Sequence, residues 1–228
     1  MTRQRIDSVR EHFDGEATIF DARVVRMVPH YREMLETMIA AIPFPTSKSV
    51  RAADLGCGTG TVAWLVKERF RKARITCIDF APNMLALARH RLGPAAEFDL
   101  GDLHTYSFKG TYDAMLSSLV LHHVKAGPEK AALFRRIHGA LAKGGVFLNT
   151  DIFTSRDRAV ARMQLDKWAE FILRSYPRCE VQRNYRRYKQ EDRPADPQEE
   201  LVALRKAGFH HVEMLWKYYN FGTYIAVK

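Results

Sequence analysis

Along the first 42 positions, hydrophobic residues recur at helical spacing: Phe20, Val24 and Met27, then Met34, Leu35, Met38, Ile39 and Ile42. Steps of three and four residues place side chains on one face of a helix. Pro29 has no backbone N–H to donate and interrupts the series, so residues 6–42 are predicted to form two amphipathic helices. Pro43, Pro45, Thr46 and Ser47 mark a linker, and beyond it the period changes. A short apolar run at 50–55 ends in glycines and predicts a strand. A helix at 61–70, a strand at 73–79 and a helix at 82–92 follow, the last with Pro82 at a favourable early position. Strands at 97–100, 112–117 and 146–150 and a helix at 128–141 continue the rhythm. Alternating strands and helices imply a parallel sheet covered on both faces, which binds ligands at the carboxyl ends of its strands.

The segment 153–208 is long for one crossover. It holds an apolar helical pattern at 159–173, a basic and aromatic stretch, the turn Pro194-Ala195-Asp196-Pro197 and a helical pattern at 198–206, and it is predicted to form a lid. Two apolar runs, 211–218 and 221–227, are joined too tightly for an intervening helix and are expected to pair antiparallel. The expected fold is α/β: a Rossmann-like, doubly wound, seven-stranded, mostly parallel sheet with the last strand antiparallel, plus N-terminal helices and a helical lid. It reads as one domain with a helical cap at 1–45, a ligand-binding core at 48–152, the lid at 153–208 and a terminal strand pair at 209–228.

A chain of 228 residues, 46% of them hydrophobic, can bury a large core. Its longest apolar stretch, near 114–124, is about half the roughly 20 residues needed to cross a bilayer, and the first ten residues are polar. No membrane span or signal peptide is expected. Cys57, Cys77 and Cys179 have neither a disulfide framework nor zinc-ligand spacing, which fits a reducing cytoplasm. The formal charge of +10 is partly concentrated in Arg174, Arg178, Arg183, Arg186, Arg187, Lys189 and Arg193, interleaved with Tyr176, Tyr185 and Tyr188. This stretch reads as a solvated helix face, with RNA or an acidic small molecule as the alternative partner.

The sharpest chemical signal is Asp54-Leu55-Gly56-Cys57-Gly58-Thr59-Gly60, between the first strand and first helix of the core. Glycine tolerates positive φ and lets a ligand approach the backbone. The spacing is GxGxG rather than the dinucleotide GxGxxG or a phosphate loop. Asp54 would repel a pyrophosphate but suits a ligand bearing an ammonium and a sulfonium. Asp79, ending the second strand, is placed to accept hydrogen bonds from ribose hydroxyls. Adenosine without phosphates is implied.

This stretch resembles motif I of the class I S-adenosylmethionine-dependent methyltransferases. Ile78-Asp79-Phe80-Ala81-Pro82-Asn83-Met84-Leu85, Gly101-Asp102-Leu103, the run from Tyr112 to Val124 and Leu141-Ala142-Lys143-Gly144-Gly145 resemble their further motifs, in the same order. Across nearly the whole chain there is a closer resemblance to the carboxy-S-adenosylmethionine synthases of tRNA wobble-uridine modification and their methyltransferase relatives. It includes Phe13-Asp14, Val28-Pro29-His30-Tyr31, Lys206-Ala207-Gly208-Phe209 and Asn220-Phe221-Gly222. The resemblance implies S-adenosyl-L-methionine as cofactor and S-adenosyl-L-homocysteine as product, with cofactor contacts at Tyr31, Gly56, Cys57, Gly58, Asp79, Phe80, Asp102, Leu103 and Ser118. Two departures restore the ordinary methyltransferase pattern. The synthases have Gly-Cys-Ser-Leu-Gly in the turn and asparagine at the position of Ser118. They also grip an extra carboxylate with a lid arginine, for which Arg186 or Arg187 is the candidate.

Methyl transfer to a small-molecule acceptor is therefore expected. The alternatives are carboxy-cofactor synthesis, a non-catalytic cofactor-binding scaffold and, on the same sheet, a nicotinamide-dependent oxidoreductase, which the GxGxG spacing disfavours. In-line transfer needs alignment above all. Where the acceptor must lose a proton, His122, His123, Asp151 or a lid tyrosine would serve, and His123, following the fourth strand, is preferred. Packing of that imidazole against the pocket is the bland alternative. No metal is expected, because adjacent histidines on a strand would point to opposite faces and no third ligand is apparent. Trp168, Phe171, Trp216, Tyr218 and Tyr219 are candidates for an aromatic acceptor pocket or for core. The first helices would pack on the lid or on a second copy in a homodimer.

Overall fold

A computed structural model describes residues 3–228. Strands β1 (Arg51–Leu55), β2 (Arg74–Asp79), β3 (Ala96–Leu100), β4 (Tyr112–Ser118), β5 (Leu141–Ile152), β6 (His211–Tyr218) and β7 (Phe221–Val227) form one sheet in the order β3-β2-β1-β4-β5-β7-β6. β7 runs antiparallel to both neighbours, and the other strands are parallel, as expected. The sheet explains why its central strands read as continuous apolar runs: both faces are covered, so successive side chains enter opposite cores. Ala52, Ala114, Leu116, Val146 and Leu148 face one core, while Ala53, Leu55, Met115 and Phe147 face the other.

The first core is closed by α3 (Tyr31–Ala40), α4 (Thr61–Arg69) and α5 (Pro82–Leu92), through residues such as Leu35, Met38, Val62, Val66 and Leu85. The second is closed by α6 (Pro128–Ala140) and α9 (Pro197–Lys206) through Leu133, Phe134, Ile137, Leu201 and Leu204. A buried ion pair between Lys130 and Glu200, with the Tyr224 hydroxyl 3.2 Å from the same carboxylate, joins α6, α9 and β7. The segment 153–208 is thus not uniform. Its last helix is part of the sheet's covering, while α7 (Arg158–Ile172) and α8 (Arg178–Glu191) lie beside the N-terminal helices.

The N-terminal region contains α1 (Arg3–Glu16), a 3₁₀ turn at Ala17–Ile19, α2 (Phe20–Met27) and then α3, one helix more than the two expected. Pro29 does end a helix, with Val28 extended and His30 left-handed at φ 55°. The extra break occurs where Ala17 is buried against Ala81 and Met84 at the start of α5, a close approach that the 3₁₀ turn accommodates. Two aspartates fasten this region to the core. Asp14 accepts a hydrogen bond from the Asn83 backbone N–H at 2.8 Å in the first turn of α5, where a carboxylate is favoured. Asp21 accepts one from the Thr59 hydroxyl at 2.6 Å and pairs with Arg91. α1 and α2 are thereby held over the strand ends at the β1/β4 switch point, where a cavity opens.

Candidate active site

Every one of the nine residues predicted to contact the cofactor lines this cavity: Tyr31, Gly56, Cys57, Gly58, Asp79, Phe80, Asp102, Leu103 and Ser118. The backbone there is specialised. At Gly56, with φ 67°, an added Cβ would lie 2.4 Å from Val120 Cγ2, whereas at Gly58, with φ 53°, it would meet nothing nearer than Met84 Sδ at 4.0 Å. Gly56 is glycine for packing, and Gly58 leaves the backbone open to a ligand. The Asp79 carboxylate accepts N–H groups from Gly58 at 2.8 Å and Ala81 at 2.9 Å, which fixes its orientation while each oxygen keeps a further lone pair. Burial raises its pKa despite those bonds.

Asp54 is fully buried, and burial pushes its carboxyl up to about 7, opposed by the Ala63 N–H at 3.0 Å and reinforced by the charge of Asp79. Neither buried carboxylate is paired with a cation among the described residues, and the two together suit a cationic ligand. Tyr31, at the start of α3, has its phenol pKa raised by burial and by Asp21 and Asp54. For Asp102, burial raises the pKa, but the hydrogen bonds from the His104 side chain at 2.7 Å and backbone at 2.9 Å outweigh it, and the net shift is downward. Ser118 Oγ is buried and has no hydrogen-bond partner among the described residues. An unused buried hydroxyl, an open glycine backbone and the two carboxylates together fit S-adenosylmethionine.

A second cavity adjoins the first, and Phe13, Phe20, Leu119 and His123 line both. Leu119 has φ 57°, uncommon for a branched side chain, and its N–H is held by the Thr150 carbonyl at 2.9 Å. The strain lies where the two spaces meet. Trp168 lines the second cavity with its indole N–H bonded to the Met27 carbonyl at 2.7 Å. The other aromatic candidates are elsewhere: Phe171 packs in the cluster behind it, Trp216 bonds Glu33, and Tyr218 and Tyr219 are exposed.

The lid arginines separate cleanly. Arg187 faces the second cavity, and Arg186 is exposed. Arg187 Nη1 lies 3.1 Å from Glu16 Oε1 and 3.2 Å from His12 Nε2, and the same Glu16 carboxylate pairs with Arg23. Burial, with the charges of Arg187 and Arg23, lowers the His12 pKa against the pull of Glu16. The Arg187 fork is therefore already engaged by a carboxylate of this chain. Arg174, Arg178 and Arg183 are exposed, in keeping with a solvated helix face.

The two histidines differ from expectation. Leu121–His123 form a 3₁₀ turn, not strand, so the rings lie side by side with centroids 4.0 Å apart. The expectation of no metal group rested on a strand geometry that is absent here, and a third donor, Asp192 at the end of α8, is present. His122 Nδ1 is 2.5 Å from Asp151 Oδ1, and its backbone N–H reaches Asp151 Oδ2 at 3.1 Å. Burial lowers the His122 pKa, but Asp151 and Asp192 outweigh it, so the net shift is upward. His123 packs edge-on to Phe13, with centroids 5.5 Å apart. Sequence reasoning paired neither Asp151 with His122 nor Asp192 with either histidine, because no local spacing links these positions.

Residues 52–145 match the family model described as a methyltransferase domain. Taken with the sheet, its cavity and the relatives below, this match supports a class I S-adenosylmethionine-dependent methyltransferase. The chain is 26% identical over 226 residues to a carboxy-S-adenosyl-L-methionine synthase of Helicobacter hepaticus, covering 95% of this chain and 94% of the relative. It is likewise 26% identical over 232 residues to one from Campylobacter concisus, covering 99% and 97%. The similarity to those synthases runs over nearly the whole chain. A solved DhpI–SAM–HEP complex shares the fold with a TM-score of 0.70 at 19% identity, covering 100% of this chain and 99% of that one. No helix among the described residues is long and apolar enough to cross a membrane.

Proposed function

We propose that the enzyme delivers a methyl group to a small-molecule acceptor held in the second cavity. The observation that supports this reading is the shared wall of Phe13, Phe20, Leu119 and His123, since an acceptor in the second cavity would lie side by side with the cofactor cavity. S-adenosylmethionine, when bound, supplies an electrophilic methyl on a sulfonium sulfur. Asp54 provides negative charge for its cationic groups, Asp79 accepts from its ribose hydroxyls, and the aromatic wall excludes water from the transfer path. His123, on the shared wall, would receive the acceptor's proton.

Carboxy-cofactor synthesis is the second reading, since the relatives named above carry that description. Against it, Arg187 is held by Glu16 rather than presented free to a ligand carboxylate, and the synthases' turn sequence and asparagine are replaced here. Mass spectrometry of small molecules retained by the protein after incubation with S-adenosylmethionine, with and without prephenate, tests the choice. Methyl transfer predicts only S-adenosylmethionine and its demethylated product in both samples. A retained species heavier by a carboxylate would overturn it.

A further inference from the structure

Asp192 Oδ1 lies 3.7 Å from His122 Nε2 and 3.5 Å from His123 Nδ1, and the donor atoms of all three residues fall within 4.8 Å of one another. With metal–nitrogen bonds of about 2.0–2.1 Å, neighbouring donors on a tetrahedral ion stand roughly 3.3–3.5 Å apart, so the two pairs with Asp192 are near that spacing and the histidine pair, within 4.8 Å, closes on one ion by side-chain rotation. From these placements we infer a divalent transition-metal site formed by His122, His123 and Asp192 on the wall of the acceptor cavity.

A separate observation supports the inference. Metal-ligating histidines characteristically donate their other ring N–H to a carboxylate, which fixes the tautomer and orients the ring. His122 does this through Nδ1 to Asp151, itself buried and held by the N–H groups of His122 and Ile152. That bond directs the Nε2 lone pair to the side on which Asp192 and His123 lie. Two imidazoles and one carboxylate suit Zn²⁺, Fe²⁺, Co²⁺ or Mn²⁺ and leave open positions, unlike the all-oxygen sites of Mg²⁺ and Ca²⁺.

The ligands come from two parts of the fold. The histidines belong to the turn after β4, and Asp192 caps α8, where the Arg193 N–H also donates to the His122 carbonyl at 2.7 Å. A cation here fastens the α8 end to the sheet beside the bound acceptor. Its open positions take an acceptor hydroxyl or amine through a lone pair, so that the O–H or N–H proton leaves to water. The electron pair released to that atom forms the bond to the methyl carbon, while the carbon–sulfur pair stays on sulfur. This rests on the acceptor cavity proposed above and replaces direct proton uptake by His123.

The test uses full-length protein stripped with a chelator, dialysed, and titrated with Co²⁺ while its visible absorption and bound metal content are measured. One Co²⁺ per chain with ligand-field bands of a nitrogen- and oxygen-coordinated ion is expected. Asp192→Asn and His123→Gln should each weaken binding at least tenfold, and Asp151→Asn, which changes no ligand but only the partner of His122 Nδ1, by about 10–100-fold. Arg186→Ala, on the exposed face of α8, should leave it unchanged. Binding of S-adenosylhomocysteine by the same variants reports that they are folded. Absence of Co²⁺ binding, or equal binding by folded Asp192→Asn and wild type, overturns the metal site and leaves the methyl-transfer reading intact. Failure of that reading would appear instead as no methylated product from metal-loaded protein.

Discussion

Replacing Asp54 by asparagine should stabilise the cofactor-free protein and weaken its hold on the cofactor. Asp54 is 2% exposed, and its carboxyl is raised from 3.8 to about 7, chiefly by burial. The folded state therefore binds more protons than the unfolded state between those values, and stability contributed at this site falls as pH rises from about 4 to 7. About three pKa units at roughly 1.4 kcal/mol each give a loss of about 4 kcal/mol by pH 8. The amide oxygen of the substituted side chain would still accept the Ala63 N–H while carrying no charge. Thermal unfolding of the cofactor-free Asp54→Asn variant at pH 8 should then rise by roughly 8–16 °C for a domain of this size. At pH 5 only about one of those three units has been lost, so the gap between the two unfolding temperatures should shrink to roughly a third of its value at pH 8. Affinity for S-adenosylmethionine should instead drop by about 10–100-fold, the worth of a buried charge-assisted contact. Calorimetric titration and thermal scans at the two pH values suffice. A variant that is destabilised at pH 8, or that binds the cofactor as wild type does, refutes the assignment of Asp54 as the cation's counter-charge.

Further substitutions probe other parts of the structure. Gly56→Ala places a Cβ against Val120 at a positive φ and should abolish cofactor binding with lowered thermal stability, whereas Thr61→Ala, also in the cavity lining, should weaken binding only a fewfold. Lys130→Met leaves Glu200 buried without its cation and should cost about 3–5 kcal/mol in denaturant unfolding, while the double change with Glu200→Leu recovers most of it. Arg187→Met removes one of the two arginines that hold the Glu16 carboxylate in the second cavity, so acceptor KM should shift at least tenfold while cofactor Kd, measured by calorimetry, stays within twofold.

The cofactor side is legible in the sequence because its signals are local. The glycine turn, Asp79 and Asp102 each sit at the end of a strand, and the sheet brings strand ends together automatically. The strands are legible because burial on both faces writes an unbroken apolar run, as in Ala114-Met115-Leu116. The second cavity, proposed to hold the acceptor, is lined from α1, α2, the turn after β4 and α8 among others, and nothing in sequence distance reveals that Glu16 meets Arg187 or that Asp192 meets His122. The histidine pair defeats sequence reasoning for a definable reason: period-two alternation applies to a strand, and β4 ends at Ser118, before the left-handed Leu119. The lid boundary is blurred because α9 carries the same amphipathic pattern whether it covers a cavity or a sheet.

The most direct test of the account is to follow a labelled methyl group. Purified protein, loaded with Co²⁺ or Zn²⁺, would be incubated with methyl-labelled S-adenosylmethionine and, separately, with a small-metabolite fraction and an RNA fraction of bacterial extract. The account predicts label in a product of the small-metabolite fraction, matched mole for mole by S-adenosylhomocysteine. Label confined to RNA, or cofactor bound tightly with no transfer to either fraction, would contradict it.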